Sequence, residues 1–411
     1  MIVAREHPTS FGDDSLRELA RAYGTPLYLY DLQAIRDNVA RIRQAILYRP
    51  LMLHFALMSN ANVRLLRAMR SLGIGAHVSS PGELWLAHSA GFRAEDVVVT
   101  GSNFGAGEVK EMALKTSPVN ADSLSQLQKF LRLARVREVG LRLNSEMPLP
   151  RNVINAAVGP GSRLGIDRAD LRKARRLAER NGARVVGLQM YIGTNLLSCR
   201  YFLQAFDELA DAANDLPDLK YIDLGGGFGI SYGPRVRNFD WQQFGTAVTK
   251  RLDRLSKTKD LPIEFKLEPG RSLIGSAAVL LATVVDVKKR NGTIFVGCNT
   301  SVSNFPRPYI YNQFHRVTFI HTGRRRRTCR NVVICGNTVA ARDILSAPMG
   351  TATLPREGDL IVVHDVGAYG FSMSSHFCGR LRPAEVMVRD GKATLIRKRE
   401  GIESLWNGKD A

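Results

Sequence analysis

The chain has 411 residues, 45% hydrophobic and 23% charged, the balance of a soluble globular protein with length for two domains and a sizeable core. No apolar run reaches the roughly eighteen residues of a membrane-crossing helix. "MIVAREHPTS" lacks a signal peptide's long apolar stretch, so a cytoplasmic protein with no membrane partner is expected. The charge is uneven: 58 Lys and Arg against 38 Asp and Glu leave +20, a field that favours acidic partners or nucleic acid.

The five cysteines, Cys199, Cys298, Cys329, Cys335 and Cys378, are scattered without a CxxC pair, so neither a metal site nor a disulfide framework is expected. The sharpest basic cluster is "GRRRRTCR", which contains Arg324, Arg325, Arg326 and Arg327. No nucleic-acid motif or interleaved aromatic accompanies it. It reads as a solvated loop, the alternative being an acidic partner such as a carrier protein or a phosphorylated metabolite.

In chain order, the first thirty residues, including "TPLYLYD", read as strand. "PLMLHFAL" is a buried strand running into the helix "NVRLLRAMRSLG", with Asn60 and Asn62 at the turn. "GIGAHVS", "DVVVTGS", "VREVGLRLN", "RVVGLQMYIGT", "LKYIDLGGGFG" and "LPIEFKLEPGR" continue the strands, with helices such as "SLSQLQKFLRLAR" and "RADLRKARRLAERNG" between them. This βα alternation predicts an α/β TIM (β/α)8 barrel over 31–270. After Arg271 short β-like runs take over ("TIFVGCN", "NVVICGN", "DLIVVHDVG", "AEVMVRDG"), predicting an all-β sandwich or barrel domain from 1–30 and 271–411.

Working residues of such a barrel sit at strand C-terminal ends. Those ends are "FALMSN", "AHVSSPGE", "MYIGTN", "LGGGFG" and "EPGR". Three adjacent glycines let backbone amides approach a ligand and can cradle a phosphate, although such clusters also make plain tight turns. Glu268 and Arg271 add a carboxylate and a guanidinium, for which a salt bridge is the plain alternative.

Together "YGTPLYLYD", "GSRLGID", "DLGGGFG", "EPGR", "FPRPYIY", "GDLIVVHDVGAYGFSMSS" and "RPAEVMV" resemble the fold type III pyridoxal-phosphate-dependent decarboxylases of basic amino acids, the diaminopimelate, ornithine and arginine decarboxylase family. The resemblance spans nearly the whole chain and implies an alanine racemase/ornithine decarboxylase-like architecture, paired as a head-to-tail dimer. It implies that Gly225, Gly226 and Gly227 hold the cofactor phosphate, with Tyr369 reaching it from the partner subunit. It places Glu268 against the pyridine nitrogen, where an alanine racemase has an arginine. Thr194 and Arg271 fall among the cofactor contacts, and Arg271, Arg307 and Tyr311 match phosphate- or substrate-binding positions. Arg163 and Asp343 match a pair that bridges subunits, Asp343 lying with the substrate contacts.

Five positions depart from that pattern. Met58 stands where the family carries its Schiff-base lysine, and a thioether cannot form an imine. His77 replaces an acidic residue near that lysine. Tyr191 replaces the histidine that stacks on the cofactor ring. Val339 occupies the catalytic cysteine position, and Ala340 that of an acidic substrate contact. Relatives acting on D-amino acids look similar around Tyr191 and Val339, so the enantiomer stays open. Pyridoxal phosphate, if bound, is therefore expected to be held noncovalently, with an amino acid of polar or charged far end as substrate. Three readings follow: a decarboxylase whose lysine route is lost or altered, a non-catalytic relative that forms a homodimer or pairs with an active paralogue, or different chemistry in the same barrel.

Overall fold

A computed structural model describes residues 9, 11–114, 116, 118–149, 156–233, 236–323 and 327–406. Of the basic run only Arg327 falls within these; Arg324, Arg325 and Arg326 lie outside the described residues. The chain forms two compact units. One is Asn38–Ser231 with Arg237–Leu273; the other is Met1–Asp37 with Tyr232–Val236 and Ile274–Ala411. The expected boundaries were 31–270 and 1–30 with 271–411, so Tyr232–Val236 groups with the second unit although it lies within the barrel's sequence. No helix among the described residues is long and apolar enough to cross a membrane.

The chain opens with α1 (Asp13–Tyr23), β1 (Leu27–Asp31) and α2 (Leu32–Ala45). Eight parallel strands then close the barrel: β2 (Leu51–Ala56), β3 (Gly75–Val78), β4 (Val97–Thr100), β5 (Val119–Ala121), β6 (Glu138–Arg142), β7 (Arg184–Gln189), β8 (Tyr221–Asp223) and β9 (Glu264–Leu267). β9 returns to β2 with Leu53 opposite Leu267. Between the strands run α3 (Val63–Ser71), α4 (Pro81–Ser89), α5 (Ala106–Leu114), α6 (Leu124–Lys129), α7 (Leu171–Arg180), α8 (Cys199–Ala212) and α9 (Trp241–Lys259), and α10 (Arg271–Ile274) follows β9. Asn62 starts α3 by accepting from the Arg64 amide at 3.0 Å, and Asn60 accepts from the Asn62 amide at 3.0 Å. That is the physical use of the two asparagines at the turn.

The barrel interior is polar. Tyr221 Oη donates to Asn120 Oδ1 at 2.6 Å, and Lys266 Nζ sits 4.2 Å from the centre of the Tyr221 ring. β8 and β5 are not neighbours, so this hydrogen bond crosses the interior. Gly140 and Gly187 make room for it: a Cβ on either would overlap Asn120 or the Tyr221 ring. Because side chains alternate along a strand, the next inward position is two residues on. That level, at or just beyond the strand ends, holds Asp122, Arg142, Gln189, Asp223 and Glu268, all buried.

The second unit is built on β10 (Ala278–Arg290), β11 (Thr293–Cys298), α11 (Arg307–Tyr311), β12 (Val317–Ile320), β13 (Thr328–Cys329), β14 (Val332–Cys335), β15 (Ala352–Thr353), β16 (Leu360–His364), β17 (Ala384–Arg389) and β18 (Lys392–Arg397). Its main sheet runs β12-β16-β10-β1-β17-β18, with β11 joining β10 to β14. β1 therefore pairs into this sheet, between β10 and β17. The rest of the expected N-terminal strand is corrected: Asp13–Tyr23 is a helix. Leu16, Leu19 and Tyr23 repeat at helical spacing, and Leu16 and Leu19 pack on Leu27, Leu29, Val279, Leu281, Val362 and Val386 of the sheet. Two acids in the first turn and Gly24 at φ +69° frame α1, which helical periodicity should have flagged.

Candidate cofactor site at the strand ends of the barrel

β2 ends in a tight 3-10 turn, Leu57–Ser59, held by Ser59 Oγ donating to the Ala56 carbonyl at 2.7 Å. The turn buries Leu57 and Ser59 and leaves Met58 41% exposed. A methionine so exposed at a strand end is not placed there by core packing.

The other strand ends supply the polar shell. Arg142 Nη1 pairs with Asp122 Oδ1 at 3.0 Å, both buried, and Ser102 Oγ donates to the other Asp122 oxygen at 2.6 Å. Gln189 Nε2 donates to Glu268 Oε2 at 3.2 Å, while Glu268 Oε1 is buried without a hydrogen bond. His77 Nε2 lies 3.6 Å from that free oxygen. Arg271 Nη2 donates to Thr194 Oγ1 at 3.3 Å, and Tyr191 is partly buried beside them. Met58, His77, Tyr191, Thr194, Gly225, Gly226, Gly227, Glu268 and Arg271 thus all lie at the strand ends of one unit.

Burial dominates the protonation here. It pushes Glu268 up to about 7, against the pull of Asp223, Arg142 and Gln189. It pushes Asp223 well above the carboxylate range, helped by the Glu268 charge, and it lowers His77. Burial also raises Tyr191 above an ordinary phenol. Two buried carboxyls with opposing demands for one proton are the signature of a working site more than of a structural ion pair.

The glycine loop follows β8. Gly225 (φ +61°) donates its amide to Asp223 Oδ1 at 2.8 Å, and its carbonyl accepts from the Glu268 amide at 2.8 Å. The Gly225 amide is therefore spent on Asp223, which corrects the expectation that it holds a phosphate. The amides of Gly226 and Gly227 donate to nothing among the described residues. A Cβ on Gly227 (φ +97°) would overlap the Gly193 carbonyl, and one on Gly226 would press on the Glu268 carbonyl at 2.6 Å. Gly227→Ala is expected to cost about 2 kcal/mol or more of stability, read as a lowered urea midpoint, together with loss of anion binding.

Residues 32–275 match the family model described as pyridoxal-dependent decarboxylase, pyridoxal binding domain. The chain belongs to the pyridoxal-dependent decarboxylases. Diaminopimelate decarboxylase of Methanothermobacter thermautotrophicus is 31% identical over 412 residues, covering 96% of this chain and 93% of that protein. A crystal structure of diaminopimelate decarboxylase superposes with a TM-score of 0.89 at 26% identity, covering 98% of this chain and 97% of that one. The Helicobacter pylori enzyme, crystallised with L-lysine, gives 0.87 at 25% identity, covering 95% and 98%. This decarboxylase-family chain accordingly has the closed parallel barrel and sheet-rich second unit of those structures, and pyridoxal phosphate is the cofactor its family implies. The residues present fit that group: Glu268 Oε1 is a free buried acceptor for a ring nitrogen, and two glycine amides are free for an anion.

The remaining expected residues of this pyridoxal-dependent decarboxylase, Arg163 apart, lie in the second unit. Arg307 is 1% exposed; its Nε donates to His315 Nε2 at 3.1 Å, its Nη2 to Gln313 Oε1 at 2.7 Å, and its guanidinium lies 5.0 Å from the Tyr232 ring. Because His315 Nε2 accepts, Nδ1 carries the proton and donates to the His364 carbonyl at 2.8 Å. Tyr311 lies 5.9 Å from the same guanidinium. Asp343 is 4% exposed, with one oxygen accepting from the Val302 amide and the other from Thr338 N and Oγ1. Its carboxylate thus ties its own loop, through Thr338, to the Val302 backbone. Arg163, its expected partner across subunits, is exposed in the barrel unit.

Val339 is 95% exposed, Ala340 is half-buried, and Tyr369 takes a left-handed turn at φ +58°. Burial raises the Cys335 thiol to about 11, so it is no nucleophile substituting for the missing cysteine. Asp223, Gln189, Arg142 and Asp122 were missed from sequence. Their signal is a polar residue every second position along otherwise apolar strands, as in "YID" and "GLRLN".

Proposed function

We propose that this chain is a diaminopimelate-decarboxylase-like protein that holds pyridoxal phosphate without a covalent bond, and in which decarboxylation by the usual lysine route is lost. One observation carries the reading: Glu268 Oε1 remains a free buried acceptor, while the strand-end position that should offer an amine offers the thioether of Met58. When bound, the cofactor supplies a sink for the electron pair released as carbon dioxide leaves an amino acid. Glu268 would accept from the ring nitrogen, Gly226, Gly227 and Arg271 would hold the phosphate, and Tyr191 would lie beside the ring. The substrate would be an amino acid with a polar or charged far end, for which the family's pattern assigns Arg307 and Tyr311 of the second unit. The setting is the cytoplasm, in keeping with five free cysteines.

The test is cofactor content. After incubation with pyridoxal phosphate and gel filtration, acid should release close to one cofactor per chain. Carbon dioxide release from diaminopimelate should fall below that of lysine-bearing relatives by roughly 1000-fold or more. No retained cofactor sinks the proposal.

A second reading is favoured by the surface of the second unit, where Val339, Tyr309, Ile310 and Phe377 are exposed apolar side chains. A chain without turnover that pairs through such residues would regulate an active paralogue. Light scattering on the same sample should then show two chains per particle.

A further inference from the structure

We infer that His77 is a positioning residue acting through Glu268: its Nε2 shares one proton with Glu268 Oε1, and keeps that proton when Glu268 faces a protonated ring nitrogen. The purpose rests on the proposed cofactor site; the test does not.

The geometry is specific. β3 and β9 are separated in the barrel wall by β2, so His77 reaches Glu268 through the interior. Ala56, opposite His77 in register, is small enough to leave the way open. The two side chains are 5% and 3% exposed, and their facing atoms stand 3.6 Å apart. That is ion-pair range, about half an ångström beyond a hydrogen bond. Neither ring nitrogen of His77 nor Oε1 of Glu268 has a hydrogen bond elsewhere. Two buried polar groups facing one another without partners each carry a desolvation cost, which one shared proton relieves.

Most of the surrounding charged groups are engaged elsewhere. Arg142 is held by Asp122, Lys266 by Glu264 at 3.1 Å, and Glu83 on α4 takes the Ser79 amide and hydroxyl. Asp223, fully buried, gives one oxygen to Gly225 and keeps the other without a partner; burial, and then the Glu268 charge, raise it well above an ordinary carboxyl. His54 on β2 is kept neutral, by burial first and then by the Lys266 charge. Glu268 is the carboxyl whose unbonded oxygen faces His77 Nε2 within ion-pair range. Burial raises Glu268 to about 7 and lowers His77, which removes the ordinary advantage of an imidazole over a carboxylate in holding a proton.

The experiment follows the carboxyl of Glu268 and the imidazole of His77 by isotope-edited NMR in cofactor-free protein between pH 5 and 9. Glu268→Gln should lower the His77 midpoint, and His77→Phe should raise the Glu268 midpoint, each by about one pH unit. Linkage requires the two shifts to be reciprocal. Should the phenylalanine not be tolerated, His77→Gln keeps an amide donor without a titrating nitrogen, and the Glu268 midpoint should rise by less. Unmoved midpoints in folded variants overturn the inference. Adding pyridoxal phosphate to the unaltered protein then separates the two claims. If the shifts are reciprocal but the cofactor perturbs neither group, His77 and Glu268 share a proton and only the cofactor reading fails.

Discussion

Met58→Lys is expected to make the purified protein retain pyridoxal phosphate through denaturation after borohydride reduction, with the label mapping to position 58. Carbon dioxide release from diaminopimelate should rise by roughly 1000-fold. Met58 is 41% exposed on a fixed turn, so a longer charged side chain enters solvent and not the core, and the melting temperature should stay within a few degrees. The amine gives the chain a nucleophile at a strand end whose neighbours already offer an acceptor at Glu268 and free amides at Gly226 and Gly227. Covalent capture without turnover would mean a second lesion, with His77 and Ala340 the places to look. Adding His77→Asp would then test whether the family's lysine and acid work only as a pair. No capture at all would show that position 58 does not face the cofactor.

Glu268→Gln should move stability and cofactor affinity in opposite directions. Burial holds this carboxyl at about 7 against an ordinary 4.5. Between those values the folded chain binds more protons than the unfolded chain, so stability falls as pH rises through that window. The contribution is fully present below about pH 4.5 and lost above about pH 7, roughly 3 kcal/mol in all. Glutamine does not ionise, so the variant should gain about 3 kcal/mol over the unaltered protein at pH 8 and less than about 1 kcal/mol at pH 5. Urea midpoints at the two pH values, without cofactor, read this directly. Cofactor affinity should meanwhile drop about 10- to 100-fold, because a charge-assisted hydrogen bond becomes a neutral one. An identical loss of stability between pH 5 and 8 in both proteins would place the titrating group elsewhere.

The barrel was legible because burial imposes periodicity: strand runs such as "VVVT" and "LHFA" are short and apolar, and helices with apolar residues at 3.6 spacing separate them. The strand ends that carry Met58, His77, Tyr191, the glycine loop and Glu268 were legible too, since a parallel barrel gathers its strand ends on one face. The helix Asp13–Tyr23 was misread because a strand-like segment followed it directly, and the pull of "PLYLYD" was extended backwards.

Chemistry was a harder matter. The amino-acid order determined the family, the barrel and the absence of an amine at position 58. Tertiary structure alone decided that Gly225 spends its amide on Asp223, that Asp343 ties its loop to Val302, and that His77 reaches past Ala56 through the interior to face Glu268. Each of these depends on which buried polar atoms are left without partners, and that is a property of the closed interior, where strands far apart in sequence bring their side chains within a few ångströms.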